Sequence, residues 1–255
     1  MIQGLQDLVR TYKPPKKASS FEKNGQITPE EFVQAGNFLV SAFPIWKWET
    51  GEQGKNLSYL PSDKQYLHLV AVPCHSRANL IESPDSPALI QESTDFDDLW
   101  IVDSPKDSPI FSIDEDHDDG VNPHALPENS TPVMQRQRIY DVSITYDNYY
   151  MSGRVWLRGR DASTSQPLTF SEICMDISSD HAMKTVTEDV HPHLREHWVS
   201  IHPCKHASVL HTLFTQAQED ASQQARVEHY FIYLLKLMSV IVPTMEIDCT
   251  IDALA

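Results

Sequence analysis

The stretch that decides the fold is Ile139-Tyr-Asp-Val-Ser-Ile-Thr-Tyr-Asp147, followed shortly by Arg154-Val-Trp-Leu-Arg-Gly-Arg-Asp161. Apolar and polar residues alternate through both runs, which is the pattern of half-buried antiparallel strands. Residues 146–153 make the connection between them. The sequence therefore predicts a β-hairpin, and the rest of the fold is worked out from it.

Helices and a further strand are predicted on both sides of this hairpin. Thr28-Pro-Glu-Glu31 has the form of a capping box with proline in the first turn, and Pro44 ends the helix that it opens. Helical spacing also covers 170–181, 207–218 and 226–242, while 65–72 has a strand pattern, and 166–169 is a further short strand candidate. Strands and helices come in runs and do not alternate, so we predict an α+β fold, with Trp46 and Trp48 in its core.

Charge is distributed unevenly along the 255 residues, whose formal net charge is −16. Residues 81–130 hold 14 Asp or Glu against one Lys, while residues 1–25 carry a net +3. An acidic middle and a basic start indicate two different partners, and nucleic acid is not expected to be one of them. The stretch 83–132 is rich in Pro, Ser and Asp, so it is predicted to be a mobile insertion.

Residues 1–13 form an amphipathic pattern. Ile2, Leu5, Leu8, Val9 and Tyr12 fall on one face of a helix, which Pro14 ends. So short a helix is marginal alone, because about 12–15 residues are needed even for good helix formers. Its apolar face needs either the core of the protein or a membrane surface to lie on.

Four cysteines lie scattered, with no Cys-x-x-Cys pair. This spacing argues against a disulfide scaffold and against a zinc site, and it suits a reducing compartment. The amino terminus lacks the pattern of a secretory signal, and no run is long and apolar enough to span a bilayer. We therefore expect a cytoplasmic protein without a bound metal.

Cys204 is the candidate nucleophile, in the run Ser200-Ile-His-Pro-Cys-Lys-His-Ala207. A thiol reacts as its thiolate, and neighbouring cations lower its pKa. Lys205, His202 and His206 are candidates for that role, and a helix starting at about Ala207 would add a favourable partial charge. The alternative is a buried, inert cysteine.

Several long runs resemble the autophagy-related protein 3 family, in the order of that family and over well more than half of the chain. Its members are ubiquitin-conjugating-like enzymes that attach a ubiquitin-like modifier to lipid. The matching runs are ITPEEFVQAGNFLV (27–40), FPIWKWETG (43–51), YLPSDKQYL (59–67) with VPC (72–74), YDVSITYDNYY (140–150), RVWLRG (154–159), MDISSDHAMKTVTEDVHPH (175–193), SIHPCKHA (200–207) and LLKLMSVIVPTMEIDCT (234–250).

The resemblance implies a ubiquitin-conjugating-like core, an antiparallel sheet flanked by helices, formed by residues 14–82 and 133–255. Cys204 would accept the modifier as a thioester from its activating enzyme and pass it to the amine of phosphatidylethanolamine, without a cofactor. His202 would shape the loop, and Thr185 would orient the reacting groups or stabilise an oxyanion. His193 would be either a substitute oxyanion donor or part of a turn packed beside the loop.

The resemblance also gives the other segments partners. Residues 1–13 would contact membranes transiently through Leu5, Leu8 and Val9, with nearby basic residues meeting anionic head groups. The insertion 83–132 would recruit the activating enzyme. Phe96 and Leu99 have the spacing of a modifier-binding motif that adds as a strand, although a core strand over residues 99–102 is the favoured interpretation of this pattern. The candidate contacts for the activating enzyme are Ile110, Phe111 and Ile113.

Three other functions stay open on the sequence. A sister family with the same His-Pro-Cys loop joins a ubiquitin-like protein to a protein lysine, and the amphipathic start argues against it. A non-catalytic scaffold of the same fold is disfavoured by the intact Cys204 run. A cysteine protease is disfavoured because no base is marked out near Cys204.

Overall fold

A single antiparallel sheet organises the part of the chain described by the computed structural model, which is residues 14–78, 136–182, 184–221, 226–245 and 247. The sheet has six strands in the order β1-β2-β3-β4-β6-β5, and all neighbouring pairs are antiparallel. The strands are β1 Lys47–Glu49, β2 Tyr66–Cys74, β3 Arg138–Asp147, β4 Ser152–Asp161, β5 Val186–Val190 and β6 His197–Ile201. With the helices beside it, this is the predicted α+β fold.

Six α-helices and two 3-10 turns accompany the sheet within the described ranges. The helices are α1 Phe21–Asn24, α2 Pro29–Ala42, α3 Phe170–Cys174, α4 Ser179–Ala182, α5 His206–Ala221 and α6 Tyr230–Ile241. The 3-10 turns are Pro203–Lys205 and Val227–His229, each directly before a long helix.

The hairpin β3–β4 is the centre of the sheet and pairs over its full length, from Arg138 opposite Asp161 to Asp147 opposite Ser152. It confirms the predicted hairpin. One face of the hairpin receives α2 and α6, where the ring of Phe32 lies 5.5 Å from Tyr146 and 5.3 Å from Phe231. Trp156 points to the opposite face, since side chains alternate along a strand.

The predicted capping box at the start of α2 is confirmed. The Thr28 hydroxyl accepts from the amide of Glu31, and the Glu31 carboxylate accepts from the amide of Thr28. Trp46 is buried as predicted, whereas Trp48 is only half-buried.

Two predictions of secondary structure are wrong in detail. The helical spacing over 170–181 is broken into α3 and α4, because the intervening Asp176 is buried and forms ion pairs with Arg77 and Arg138. The candidate strand 166–169 is reduced to one bridge between Arg160 and Pro167.

Candidate active site

The sulfur of Cys204 is presented by a turn between a strand and a helix. β6 ends at Ile201, the 3-10 turn Pro203–Lys205 follows, and α5 begins at His206. Pro203 is buried and stands at the first position of the turn, where its fixed φ suits a helical start. Cys204 itself is exposed. The buried position that the sequence alternative supposed is therefore wrong for this residue.

His202 caps the turn. Its side chain Nδ1 accepts from the amide of Cys204 at 3.3 Å, which is the place that Ser, Thr, Asp or Asn usually takes at a helix start. The other ring nitrogen, Nε2, lies 3.3 Å from the hydroxyl of Tyr150. His202 thus links the amide of the candidate nucleophile to the turn between β3 and β4.

Thr185 lies beside this loop. The backbone amide of His202 donates to the carbonyl oxygen of Thr185 at 2.7 Å, which continues the pairing of β5 with β6. The Thr185 hydroxyl donates to the carbonyl of His181 at 3.3 Å. The structure therefore places the backbone of Thr185 beside that of His202, and the side chain of His202 beside Cys204. The role predicted for the Thr185 hydroxyl stays a prediction.

The expected lowering of the Cys204 pKa is wrong for the resting protein. Partial burial of the sulfur raises the pKa of the thiol above its ordinary value, and the positive charge of Lys205 and the amides of Cys204 and Lys205 offset only part of that rise. Removing a charge from water disfavours the charged form, and here this effect is the larger one.

His206 is not one of the cations that the sequence suggested. It is fully buried, and burial lowers its pKa to about 4, so it is neutral at cellular pH. Its Nδ1 lies 2.9 Å from the carbonyl oxygen of Gly153 and donates to it. The residue instead fixes the first turn of α5 to the start of β4.

His193 lies in a buried turn. None of its surface is exposed, its ring stacks on Tyr66 with centroids 5.5 Å apart, and its Nδ1 lies 3.2 Å from the carbonyl oxygen of Lys55. A side chain enclosed in this way packs the turn. It cannot donate a hydrogen bond to an oxyanion formed at the exposed Cys204.

Tyr150 was not singled out from the sequence. It lies 52 positions before His202, in the connection of the hairpin. The signal that could have located it is the pairing of β4 with β6, in which Val155 lies opposite Ile201. That register places the residues just before β4 beside those just after β6.

Within the described ranges no group of His, Cys, Asp or Glu could hold a metal ion, and no helix there is long and apolar enough to cross a membrane. The other predicted contacts lie outside the described residues. These are Leu5, Leu8, Val9, Phe96, Leu99, Ile110, Phe111 and Ile113.

Comparison with known proteins shows which family the chain belongs to. A family model described as "Autophagocytosis associated protein, active-site domain" matches residues 31–249. The chain belongs to the autophagy-related protein 3 family. Proteins named autophagy-related protein 3 are 37% identical in Schizosaccharomyces pombe, over 94% of this chain and 94% of theirs, and 32% identical in Dictyostelium discoideum, over 96% and 94%. The relative in Arabidopsis thaliana is 33% identical over 98% of this chain and 95% of its own.

Membership in the autophagy-related protein 3 family makes this protein a conjugating enzyme of autophagy, with a ubiquitin-like modifier and an activating enzyme as its general partners. It also gives the α+β sheet described above its class, that of the conjugating-enzyme-like folds. The exposed Cys204 falls inside the matched active-site domain.

Proposed function

We propose that the protein carries a ubiquitin-like autophagy modifier as a thioester on Cys204 and transfers it to the amine of phosphatidylethanolamine. The observation that carries this proposal is the exposure of Cys204 on a capped turn at the start of α5, within the active-site domain of the family. An acyl carrier needs such a sulfur, reachable by an extended peptide end yet held in place.

The proposed reaction consists of two acyl transfers. The modifier's terminal carbonyl carbon first passes from a thiol of the activating enzyme to Sγ of Cys204. The lipid amine then attacks that carbon, the new C–N bond forms, the C–S bond breaks, and the amine releases a proton to solvent. The sulfur leaves as thiolate and is reprotonated. Amides of Cys204 and Lys205 lie close enough to the sulfur to affect its pKa, so they are the available donors for charge that develops there.

The amino-terminal segment supports a membrane acceptor. After residues 1–13, α1 packs on α5, where the ring of Phe21 lies 4.7 Å from that of Phe214. His211 Nε2 also lies 3.2 Å from the carbonyl oxygen of Glu22. Residues 14–20 join the two parts and span at most roughly 25 Å when fully extended. Residues 1–13 on a bilayer would thus hold Cys204 within reach of lipid head groups.

The insertion has the proposed task of recruitment. Phe96 and Leu99 would contact the modifier, and residues 110–113 the activating enzyme. The charge of the segment supports this division, because an acidic stretch is suited to basic protein surfaces and not to anionic head groups. Cytoplasmic localisation with transient attachment to autophagic membranes follows from the same proposal.

The first test is Cys204→Ser with the activating enzyme, modifier and ATP. Oxygen is the poorer leaving group, so we expect a reductant-resistant oxyester in place of the reductant-sensitive band that the wild type gives on a gel. The matched control is Cys174→Ser, since Cys174 is a half-buried thiol away from the loop. Release of lipidated modifier by Cys204→Ser at the wild-type rate would exclude Cys204 as the carrier.

The acceptor is tested by adding vesicles to the charged wild-type protein. Vesicles containing phosphatidylethanolamine are expected to discharge the thioester, and phosphatidylcholine vesicles, which lack a primary amine, are expected not to. Discharge only onto lysines of added proteins would favour the alternative activity, conjugation to protein.

A further inference from the structure

The hydroxyl of Tyr150 is directed at the active loop. It lies 3.3 Å from Nε2 of His202, and the two rings meet nearly edge to face, with centroids 5.1 Å apart and planes at 75°. Both residues are half-buried. This contact joins the hairpin connection to the residue that caps the turn of Cys204.

The tautomer of His202 follows from its two contacts. Nδ1 accepts from the amide of Cys204, so it carries no proton. The proton of a neutral imidazole then lies on Nε2, and it points to the oxygen of Tyr150. In this arrangement the oxygen of Tyr150 accepts from Nε2 and supports the ring orientation in which Nδ1 faces the amide of Cys204.

Tyr150 is itself held from several directions. Its amide donates to the carboxylate of Asp147 at 3.1 Å, and its carbonyl oxygen accepts from Gln26 Nε2 at 3.4 Å. The ring of Tyr149 lies 4.8 Å away, centroid to centroid. A side chain on so well-fixed a turn can impose an orientation on His202.

We propose that Tyr150 is a positioning residue for acyl transfer, which fixes the ring of His202 so that Nδ1 holds the amide, and hence the sulfur, of Cys204 in the reactive arrangement. The inference rests on the proposed function for its kinetic consequence. Without the hydroxyl, the ring loses this support and can turn, so that Nδ1 no longer faces the amide of Cys204. The turn then loses its cap and the sulfur its fixed direction.

The tautomer is measured without modifier or activating enzyme, by the ¹⁵N shifts of the His202 ring in the full chain. We expect the Nε2–H form in the wild type. In Tyr150→Phe, which keeps the aromatic ring, we expect a changed Nδ1 shift, because Nδ1 no longer accepts from the amide of Cys204. An Nδ1–H form in the wild type, or the same Nδ1 shift in Tyr150→Phe, overturns the proposal.

The kinetic test is single-turnover discharge of the purified thioester by ethanolamine, a soluble amine that removes the membrane step. Tyr150→Phe is expected to charge to the wild-type extent and to discharge about two- to tenfold more slowly, the range for one lost hydrogen bond. Tyr149→Phe, which removes the neighbouring hydroxyl, is the matched control and is expected to discharge at the wild-type rate.

A double-mutant cycle separates positioning from a general loss of structure. In His202→Asn the amide oxygen takes the place of Nδ1 and nothing replaces Nε2, so the contact between Tyr150 and position 202 is lost. We expect Tyr150→Phe to slow discharge in the wild-type background and to have no further effect in His202→Asn. Equal losses in both backgrounds contradict the proposal, as does an unchanged rate in Tyr150→Phe.

Failure of the proposed function would look different. If the wild type forms no reductant-sensitive adduct at Cys204, the acyl-carrier role is wrong, while the ring shifts still decide whether Tyr150 fixes His202. If the adduct forms and the shifts do not depend on Tyr150, only the present inference is lost.

Discussion

Opposing effects set the acidity of the Cys204 thiol. Desolvation raises its pKa, while the charge of Lys205 and two backbone amides lower it. Because the first effect is larger, the sulfur is mostly a protonated thiol at neutral pH in the resting enzyme. The exposed position of Cys204 nevertheless leaves it open to a partner that can change this balance.

Removing the charge of Lys205 should raise the pKa of Cys204 further. We expect Lys205→Gln to slow alkylation of Cys204 by iodoacetamide at pH 7 by roughly twofold, the size of a solvent-screened charge effect. The rates are followed by mass spectrometry of the peptide that contains Cys204. Lys47→Gln, on the exposed β1, is the control, and an equal rate in both variants would mean that Lys205 does not act on the sulfur.

Local sequence singled out Cys204 and His202, and the family resemblance added Thr185, but neither indicated the electrostatic state of the site. The sequence shows three possible cations around the sulfur. Burial makes one of them, His206, neutral, and this burial depends on the packing of α5 onto Gly153. Tyr150 escaped notice for the same reason, since its partner is brought near only by the pairing of β4 with β6.

At the scale of elements, α1 packs closely against α5 near the site. Gly25 ends α1 in the left-handed region, at φ 70°, and a Cβ built there would lie 2.1 Å from the backbone oxygen of Ala207. Only glycine fits this conformation and this close approach. The segment that leads to residues 1–13 thus contacts α5 three positions beyond Cys204, the candidate nucleophile.

Gly25→Ala should destabilise the protein more than Gly54→Ala. Both glycines have positive φ, but a Cβ at Gly54 would meet nothing within 4 Å. We expect a loss of about 1–2 kcal/mol for Gly54→Ala from backbone strain, and about 1–3 kcal/mol more for Gly25→Ala from the clash. Urea unfolding of both variants measures the difference, and equal losses would show that α1 is not packed on α5 as described.

The hairpin and the capped α2 could be predicted because their signals are local, namely alternation along β3 and β4 and the capping box at Thr28. The interruption between α3 and α4 could not. Asp176 there binds Arg138 and Arg77, from distant parts of the chain, and these ion pairs outweigh a weak helical propensity.

At the scale of the molecule, three buried histidines make stability depend on pH. None of their surface is exposed, and burial lowers the pKa of His191 to about 3 and those of His193 and His206 to about 4. Histidines of the unfolded chain bind protons near pH 6.5. Below that pH the unfolded state binds more protons than the folded state. The free energy of unfolding therefore decreases as the pH is lowered, until the buried rings also bind protons.

We therefore expect the free energy of unfolding to fall from pH 6.5 to pH 5, by up to about 1.4 kcal/mol per pH unit for each of the three rings. Urea titrations across this range measure the change in the free energy of unfolding per pH unit. Carboxylates affect this slope mainly at lower pH. His206→Gln should reduce the slope, and His197→Gln, on an exposed position of β6, should not. A stability that does not change over the range would contradict burial of neutral rings.

The strand ends on either side of the insertion lie next to each other at one end of β2 and β3. Cys74 pairs with Arg138, and the guanidinium of Arg77 donates to the carbonyl oxygen of Arg136. A loop whose two ends are held close together can be lengthened or shortened at little entropic cost. The reason is that the entropy of loop closure rises only with the logarithm of the loop length. The length of the chain between residues 78 and 136 can thus vary without disturbing the sheet that positions Cys204, so under the proposed division of tasks partner choice and chemistry can diverge separately.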